Sequence, residues 1–545
     1  MHIKKIKYFN DRILLFIILF LSIHFCIKCV SVAITQPFSF DGAIIAQVAQ
    51  NMAEKLQFKR NYFDDKFYNP VIGFTVIFPV ALFFKLFGQT FSSGLFINAI
   101  YMTLLFFFVI YYLKYCLKLD NFFIFIFIIV FYSTREIFNY GFGLYGEIPM
   151  VFYFIFSLIL LHKYEIKNDK NTIFWFGIVL GLGFMTKFVF LIVIPGLFFV
   201  IFWRLILIKK VNIKKFILHH LILFFGFLLP NFLFELYKLI SVGIKDFFIM
   251  WYWLLLGAGE QSGALKYAGG RIKDSPDFFT KINTHINFLV GYTGIHKIIV
   301  IFLLIFGLLL FYLFIYFTLK YLNKKIKPYK NFKSILNSSV LFLIIVMLSY
   351  FIWWIFITPT DRAWHRRIIP GIILYEICFV IFLYFIWMIL SDYLKKKKKV
   401  FNIFTLFILL ISIIGAFYIL NFHENTKISF KWTAAKSQIM QVGRYMQTFP
   451  TDSEFFGFRW WQAPNISFAS KKVFKDFFNS DEMKTKGEKI NKFLVIDREA
   501  MQNQELCIAK ILADFTYELV FVNDEARIYK LTERIREREY VEECN

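Results

Sequence analysis

The chain has 545 residues, of which 59% are hydrophobic and 21% aromatic, and 77 of them are Phe. Charged residues make up 18%, below the roughly 25% of an ordinary globular domain, and the mean hydropathy is +0.60. These values exclude a soluble globular protein, because most of such a chain must face a solvent other than water. The composition therefore predicts a protein of the lipid bilayer.

The formal net charge of +25 would also suit a nucleic-acid-binding protein, so the location of the charge decides its meaning. Residues 1–424 carry 43 Lys and Arg against 19 Asp and Glu, whereas residues 425–545 carry 19 against 18. The positive charge belongs to the apolar part of the chain, where it bears on membrane orientation. No nucleic-acid partner is expected.

About twelve apolar segments are long enough to cross roughly 30 Å of hydrocarbon. They lie near residues 13–35, 70–88, 94–113, 121–138, 147–162, 172–186, 188–206, 216–240, 296–321, 337–358, 367–391 and 400–421. We therefore expect residues 1–424 to form an all-α polytopic membrane domain with about 11 to 13 transmembrane helices.

Four basic segments set the predicted orientation, because Lys and Arg are retained on the cytoplasmic side of a membrane. These segments are residues 4–12, 204–215, 324–333 and 395–399. The N-terminus is then cytoplasmic, and the regions that lie outside are loops 36–69, 241–295 and 359–366 and everything after about residue 422. Twelve full crossings would return the tail to the inside, so either one segment between residues 70 and 138 does not cross or one crossing is missing from the count.

Residues 425–545 are predicted to form a small α/β domain, since their charge is balanced and short apolar runs alternate along them. Strands are predicted at Phe455–Phe458, Phe493–Asp497, Leu519–Asn523 and Arg527–Leu531, and helices at Thr433–Gln447 and Gln504–Thr516. The last two strands should form a hairpin through residues 523–525. The final stretch, Thr532–Glu543, is predicted to be a charged helix or a frayed end.

The six cysteines, at positions 26, 29, 116, 378, 507 and 544, show no disulfide framework. Cys26 and Cys29 have CxxC spacing, but they fall inside the first apolar segment without a second pair or a His cluster. A metal site is therefore not expected there. The chain also lacks a Walker A loop, a dinucleotide GxGxxG fingerprint and an HExxH motif.

Polar and ionisable residues at membrane depth are costly and mark candidate functional sites. The first is Asp41, in the sequence SFDG directly after the first apolar segment. It opens the segment Ala43–Leu56, in which apolar residues recur every four positions, and this spacing predicts an amphipathic helix lying on the outer membrane surface. Asp41 either caps this helix or takes part in chemistry.

A second acid, Glu147, begins another apolar segment in the sequence YGEIP. Pro in the first turn and an acid at the positive end of the dipole favour a helix start there. Lys187 ends the run GLGFMTK between two apolar segments, where it either snorkels to the interface or holds its charge for a partner. Two acids at helix starts, both assignable to the outer face, favour a joint functional role.

Three arginines, Arg362, Arg366 and Arg367, lie on the predicted outer face in the sequence DRAWHRR. That face otherwise avoids positive charge, so these residues suit an anion at the interface, such as a lipid phosphate. Contact with ordinary phospholipid head groups would explain them too.

The loop 241–295 adds Trp251 and Trp253 together with several glycines. Aromatic residues beside glycines suit a lid over a carbohydrate or a lipid. An interfacial aromatic belt accounts for the Trp residues equally well.

In this order, the residues resemble those of the GT-C glycosyltransferases that use polyprenyl-phosphate-linked sugars. The resemblance is to the branch that contains the protein O-mannosyltransferases and the lipid A aminoarabinose transferase. The matching run covers about residues 10–210, and the Arg366-Arg367 region and the tail fit more loosely. Its features are Asp41, the outer helix, the re-entry at Asn69-Pro70, the sequence KLFG, Glu147 and the run that ends at Lys187.

Two positions depart from the family pattern. The family often has Asp-Glu where this chain has Asp41-Gly42, and Lys-Pro or His-Pro where it has Asn69-Pro70. Lys66, three residues before Asn69, would replace the missing Lys at the donor phosphate.

Two further positions separate the branches of the family. Glu147 stands where the aminoarabinose branch has Asp. The related oligosaccharyltransferases carry a Trp-Trp-Asp signature, whereas Trp460-Trp461 is followed here by Gln462, which argues against an oligosaccharyltransferase.

The resemblance implies a GT-C fold with an extracytoplasmic C-terminal α/β domain. It also implies inverting transfer of a hexose or pentose from a polyprenyl-phosphate donor to a lipid, glycan or protein acceptor. The acceptor must lose a proton as it attacks, so a carboxylate is needed as general base, and Asp41 is the candidate. Glu147 would position the acceptor, share this role or hold a cation.

The leaving phosphate needs positive charge more than it needs a proton. The candidates for this role are Lys66, Lys187, Arg366, Arg367 and Arg362. The candidates for contacts with the acceptor or for a lid are Trp251, Trp253 and Tyr68. No cofactor is indicated with certainty, although a divalent cation would fit between two carboxylates.

The alternative function is a polytopic secondary transporter or a flippase of a lipid-linked or anionic substrate, since intramembrane acids and a Lys suit ion coupling. Against it, the polar residues cluster at one face rather than at the midplane, and transport does not need a tail of about 120 residues. The expected location is a bacterial cytoplasmic (inner) membrane, where the enzyme would modify lipopolysaccharide, another envelope glycan or a protein.

Overall fold

A computed structural model describes most of the chain. The described residues are 2–61, 73–134, 137–138, 141–207, 213–261, 278–293, 337–358, 365–394, 426–458, 463–477 and 489–536. The predicted apolar segments 296–321 and 400–421 lie outside these residues.

The first part of the chain is helical throughout its described residues. Its helices are α1 (His2–Thr35), α2 (Phe40–Lys55), α3 (Phe74–Phe87), α4 (Phe91–Tyr111), α5 (Asn121–Ser133), α6 (Glu147–Lys167), α7 (Lys170–Thr186), α8 (Val193–Leu207), α9 (Ile213–Val242), α10 (Ile244–Gln261), α11 (Phe278–Thr293), α12 (Ser338–Ile352) and α13 (His365–Leu394). This confirms the predicted all-α membrane part.

Among the described residues, six helices have the length and apolar composition needed to cross a membrane. They are Arg12–Thr35, Phe91–Cys116, Glu147–Lys167, Lys214–Val242, Ser338–Ile357 and Arg366–Met388. Three apolar helices, Phe74–Phe87, Asn121–Tyr132 and Phe188–Ile201, are shorter. Two of these lie between residues 70 and 138, the region where the number of predicted crossings is inconsistent. At about 1.5 Å per residue, α3 and α5 are shorter than the hydrocarbon layer.

Glycines bring α7 and α9 into close contact. A Cβ added at Gly177 would lie 2.3 Å from the Leu223 carbonyl oxygen, and one at Gly181 would lie 2.5 Å from that of Phe227. Gly226 on α9 is equally tight against the carbonyl of Phe174. Small residues four apart let two helix backbones approach in a bilayer, where packing rather than water expulsion drives helix association. The contact fixes α7, which ends one residue before Lys187.

The C-terminal part is an α/β unit built around a five-stranded sheet of order β2-β1-β3-β5-β4. Its elements are α14 (Thr426–Gln447), β1 (Glu454–Gly457), α15 (Ala463–Ser470), β2 (Phe474–Asp476), β3 (Lys489–Asp497), α16 (Arg498–Asn503), α17 (Glu505–Leu512), β4 (Phe515–Val522) and β5 (Ala526–Arg534). Strands β1, β2 and β3 are parallel, and β5 pairs antiparallel with both β3 and β4.

The predicted strands and the hairpin through residues 523–525 are confirmed, while other parts of the tail differ from the prediction. Helix α15 and strand β2 are short elements that the sequence pattern did not predict. The predicted helix 504–516 gives way to β4 at Phe515. The prediction of a charged or frayed end from Thr532 is wrong as far as Arg534, because β5 continues to that residue and the Arg534 side chain is buried.

The prediction that α2 lies on the membrane surface is wrong. Every residue from Gly42 to Met52 is buried, including the polar residues Gln47, Gln50 and Asn51. The helix packs against α3 on one side and against α15 of the C-terminal part on another. The four-residue apolar spacing marks only the first of these contacts, because the second is made through amide side chains.

Cys507 in the C-terminal domain forms a disulfide, which the scattered spacing of the cysteines did not predict. Cys26, Cys29, Cys116 and Cys378 in the helical part are free thiols. A structural disulfide is typical of an oxidising compartment.

The glycine contact between α7 and α9 predicts a stability effect. Gly181→Val should lower the free energy of unfolding by about 1–3 kcal/mol, because the new side chain forces the two backbones apart. Thermal unfolding in detergent measures the change, with Leu229→Val, at a 43% exposed position of α9, as the control. Equal midpoints for the two variants would contradict the close packing.

Candidate active site

Asp41 lies in the first turn of α2, beside the residue that caps this helix. The cap is Ser39, whose hydroxyl oxygen accepts a hydrogen bond from the Gly42 amide at 3.2 Å. The capping role considered for Asp41 is therefore taken by Ser39, and the Asp41 carboxylate is left for other contacts. A Cβ added at Gly42 would lie 2.8 Å from the Ser39 hydroxyl and 3.4 Å from the Leu144 amide nitrogen. A side chain at position 42 would therefore displace the Ser39 hydroxyl that caps the helix.

The segment 141–146, before α6, brings Tyr145 to the N-terminus of α2. Asn98 of α4 holds this segment by donating its side-chain amide to the carbonyls of Phe142, at 3.0 Å, and Gly143. Gly146 has φ +82°, a left-handed conformation that glycine adopts without the steric cost of a Cβ, and α6 begins at the next residue. Tyr145 and Glu147 therefore flank Gly146, the residue at which the chain turns into α6.

Arg366, in the first turn of α13, forms an ion pair with Asp41 and lies over the Tyr145 ring. Its Nη1 bonds the Asp41 Oδ2, and its guanidinium carbon is 4.4 Å from the ring centroid. The Arg366 side chain is 18% exposed and that of Asp41 is 40% exposed. The carboxylate is therefore held on one side and open to solvent on the other.

A second ion pair joins Lys187 and Glu147 on the other side of Tyr145. The Lys187 Nζ bonds Glu147 Oε1 and also donates to the Tyr145 carbonyl oxygen at 3.1 Å. Glu147 is only 4% exposed, and its Oε2 has no hydrogen-bond partner within the described part of the chain. A buried carboxylate oxygen without a donor is costly, so this atom is a candidate for contact with a bound group.

The two ion pairs and Tyr145 thus form one continuous cluster. We call Asp41, Arg366, Tyr145, Lys187 and Glu147 the ionic cluster. Four of these five residues were site candidates from the sequence, although they lie in four separate parts of the chain. Arg367 is next to the cluster, and its carbonyl oxygen accepts a hydrogen bond of 2.6 Å from the Tyr350 hydroxyl.

Other predicted site residues lie elsewhere or cannot be placed. Lys66, Tyr68 and Arg362 lie outside the described residues, as does the side chain of Trp253. Trp251 lies on helix α10 rather than in a loop, and its ring centroid is 5.8 Å from that of Phe188, the residue after Lys187.

The indole nitrogen of Trp251 donates to Glu235 Oε2 at 2.9 Å. Glu235 Oε1 is 2.6 Å from the Nζ of the buried Lys238, and this Nζ also lies over the Trp251 ring. Glu235 and Lys238 thus fix the Trp251 side chain beside Phe188, which follows Lys187 of the ionic cluster.

An apolar pocket lies beside the cluster, between the helices that carry it. Met150, Val189 and Pro370 of its lining come two or three residues after Glu147, Lys187 and Arg367 in the sequence. The lining residues are Met150, Val151, Phe154, Val189, Phe190, Ile192, Val193, Val346, Tyr350, Pro370 and Leu374. Charged groups therefore adjoin a wholly hydrophobic pocket.

Sequence reasoning missed Tyr145 as a site residue, because a Tyr near a predicted interface is usually read as an anchor. Burial raises the pKa of its hydroxyl, against an opposing effect of Arg366, so the phenol is neutral at physiological pH. The hydroxyl also interacts with Ser39. Its position two residues before Glu147, in a glycine-rich run, was the available signal.

A buried acid in a membrane-spanning helix was also missed. Glu376 of α13 is 4% exposed and accepts a hydrogen bond from Thr134, next to α5. It lies ten residues after Arg366 in the same helix, or about 15 Å along its axis. It therefore belongs to helix packing below the cluster rather than to the cluster itself.

Among the residues that the structure describes, no group of three or more His, Cys, Asp or Glu side chains is arranged to hold a metal ion. The two carboxylates of the cluster are each engaged by a cationic side chain instead.

Comparison with solved structures identifies the fold. ArnT from Cupriavidus metallidurans bound to undecaprenyl phosphate matches with a TM-score of 0.57 and 10% identity, over 94% of this chain and 97% of that chain. The apo state of the same protein matches with a TM-score of 0.55 and 10% identity, over 95% and 98%. The chain has the GT-C fold.

The GT-C fold therefore covers both the helical part and the C-terminal α/β domain, as the sequence resemblance predicted. The oligosaccharyltransferase AglB from Archaeoglobus fulgidus, in complex with an inhibitory peptide and a dolichol-phosphate, has a TM-score of 0.48 and 12% identity over 94% of this chain and 74% of that chain. No family model and no curated protein matches the sequence.

The buried pair Lys187–Glu147 predicts a strong coupling in stability. Lys187→Met alone should lower the free energy of unfolding by about 3–5 kcal/mol, because it leaves a buried carboxylate without a partner. The double variant Lys187→Met/Glu147→Gln should regain much of this loss. Thermal unfolding of the two single variants and the double variant gives the coupling energy, and additive effects would contradict the ion pair.

Proposed function

We propose that this GT-C protein is a membrane glycosyltransferase that moves a sugar from a polyprenyl-phosphate donor to a lipid, glycan or protein acceptor. The observation that carries the proposal is the position of the ionic cluster at the ends of apolar helices that are long enough to cross a membrane. A lipid monophosphate sugar needs both features, since its isoprenoid enters hydrocarbon while its phosphate needs positive charge. ArnT, a protein of the same fold, was crystallised with such a lipid phosphate.

Asp41 is the proposed general base. Its carboxylate is the more exposed of the two in the cluster, so an acceptor hydroxyl or amine from outside reaches it. Arg366 fixes the direction of this carboxylate, which a base needs before it removes a proton. The Tyr145 ring packs against the guanidinium of Arg366.

Lys187, Arg366 and Arg367 are the proposed contacts of the donor phosphate, with Lys66 and Arg362 as further candidates. As the bond between the anomeric carbon and the phosphate oxygen breaks, negative charge grows on the leaving phosphate. Cationic side chains held in a site of low dielectric stabilise this charge in the transition state.

Glu147 is the proposed positioning group for the acceptor. Its Oε1 is bonded to Lys187, whereas its buried Oε2 lacks a donor among the described residues. An acceptor hydroxyl or amine would supply this missing hydrogen bond and so be oriented toward the anomeric carbon.

The location proposed for the enzyme is a bacterial cytoplasmic membrane, with the N-terminus inside and the C-terminal domain outside. The basic segments support this orientation. The disulfide at Cys507 supports it independently, because disulfides persist on the extracytoplasmic side of such a membrane.

Asp41→Asn should reduce sugar transfer by about 10²–10⁴-fold, the usual contribution of a general base. The measurement is the transfer of a radiolabelled sugar from an undecaprenyl-phosphate donor to envelope glycolipid or protein. Mass spectrometry of surface glycolipids and glycoproteins with and without the gene identifies the product. Undiminished transfer by the folded variant would exclude Asp41 as the base, and flux without any covalent product would indicate a transporter instead.

Arg367→Gln should weaken the binding of undecaprenyl phosphate by about tenfold, since a charge-assisted hydrogen bond contributes roughly 1.5–3 kcal/mol. Tryptophan fluorescence or microscale thermophoresis measures the affinity. The control is Lys114→Gln, because Lys114 bonds Asn121 in a different part of the helical bundle. The same loss in both variants would indicate a general charge effect rather than a phosphate site.

A further inference from the structure

The C-terminal domain is inserted into the helical part through helix α15. Phe468 of this helix is buried among three Phe rings of the helical part. The distances between ring centroids are 5.0 Å to Phe38, 5.3 Å to Phe91 and 5.6 Å to Phe84. An aromatic side chain enclosed in this way is a fixed anchor, because it does not leave without opening a cavity.

Two fully buried amide side chains then join α15 to α2, the helix that carries Asp41. The Asn465 side chain of α15 donates to the carbonyl of Phe38 at 3.0 Å, three residues before Asp41. In the opposite direction, the Gln47 side chain of α2 donates to the carbonyl of Pro464 at 2.8 Å. These bonds hold α2 at its entry and again six residues after Asp41.

Helix α15 is in turn fixed to the central sheet of its own domain. The Ala463 amide donates to the carboxylate of Asp497, the last residue of β3, at 3.1 Å. The same carboxylate caps α16 through the Ala500 amide at 2.9 Å. A continuous chain of hydrogen bonds therefore runs from β3 through α15 to Phe38, two residues before α2, and to Gln47 within α2.

The segment that follows α2 is held by the same domain. The Asn61 amide donates to Gln47 Oε1 at 3.0 Å, and the carbonyl of Asn61 accepts from the Phe474 amide of β2 at 2.8 Å. The Asn51 side chain donates to Asn61 Oδ1 at 2.9 Å. Gln47 thus bonds both the C-terminal domain and the segment after α2.

We propose that Asn465 and Gln47 are positioning residues for Asp41, so that the C-terminal domain is a structural part of the catalytic unit rather than an appended module. The inference rests on the proposed function, because it takes Asp41 as the base. Asn465 fixes the carbonyl just ahead of the Ser39 cap, and the direction of the Asp41 side chain toward Arg366 depends on that turn. A displacement of about 1 Å at a reacting group costs on the order of 10²-fold in rate.

The kinetic test uses the full-length protein and three substitutions of amides by Leu. Asn465→Leu and Gln47→Leu each remove one bond between α15 and α2. Gln447→Leu is the control at another contact of α15, because the exposed Gln447 side chain donates to the α15 carbonyl of Ala469 at 3.0 Å and its loss leaves the bonds of Asn465 and Gln47 in place. We expect kcat for transfer from an undecaprenyl-phosphate sugar to fall at least tenfold in the first two variants and to stay within twofold in the control.

The affinity for undecaprenyl phosphate separates positioning from loss of structure. In a positioning role, the affinity of the first two variants stays within about twofold of the wild type, because no cationic side chain is replaced and Lys187 is held by Glu147 and Tyr145 rather than by α2. A parallel fall of kcat and affinity, or an unchanged kcat per mole of folded protein, would overturn the proposal. Asn465→Leu and Gln47→Leu lie on opposite sides of the contact. If one of them does not fold, the other still tests the proposal.

Hydrogen exchange tests the positioning without any assumption about the reaction. Amides in residues 40–46 should exchange at least tenfold faster in Asn465→Leu than in the wild type or in Gln447→Leu. Unchanged exchange there would overturn the proposal whatever the enzyme transfers. Faster exchange in a protein that transfers no sugar would instead leave the positioning standing and contradict the proposed function.

Discussion

The structure depends on keeping four charged side chains together at the edge of a hydrophobic bundle. Separately, each would be expensive to bury, since desolvation of one ion costs several kcal/mol. Pairing removes most of this cost, and Tyr145 joins the pairs by placing its ring under Arg366 and its carbonyl against Lys187. Because one residue contacts both pairs, displacement of segment 141–146 would disturb both. The Asn98 hydrogen bonds and the left-handed Gly146 therefore serve the site as well as the fold.

The sequence predicted the apolar helices and four members of the ionic cluster well, for a simple reason. A charge in an otherwise apolar run is visible without any knowledge of packing, and Asp41, Glu147, Lys187 and Arg366 are all of this kind. Their pairing was not visible, because Asp41 and Arg366 are 325 residues apart and nothing local links them. Tyr145 was missed for the opposite reason. Because 21% of the residues are aromatic, a single Tyr does not stand out from its neighbours in the sequence.

The prediction for α2 went wrong for a related physical reason. A four-residue apolar spacing reports one buried face, and the other face carries Gln47, Gln50 and Asn51, which normally indicates solvent or lipid head groups. In this protein those amides are buried and bonded to the backbone carbonyls of Pro464 and Lys59 and to the side chains of Gln89 and Asn61. Hydrogen bonds to a second domain satisfy polar groups as well as water does, so polarity alone did not distinguish a domain contact from a surface. The short helix α15, which makes that contact, has no periodic signal of its own.

The two carboxylates of the cluster have the same kind of partner but different surroundings, and this difference separates their roles. Glu147 is almost fully buried, and one of its oxygens has no donor among the described residues, so it is suited to accept a hydrogen bond from a group that enters the site. The Asp41 side chain is 40% exposed and bonded on one oxygen by Arg366, so it is suited to receive a proton and release it to water. In many enzymes, two acidic residues have different roles because their surroundings differ in this way. A site with two equally buried acids would need a route for the proton, whereas the proposed base, Asp41, lies at the open edge of the cluster, where water reaches it.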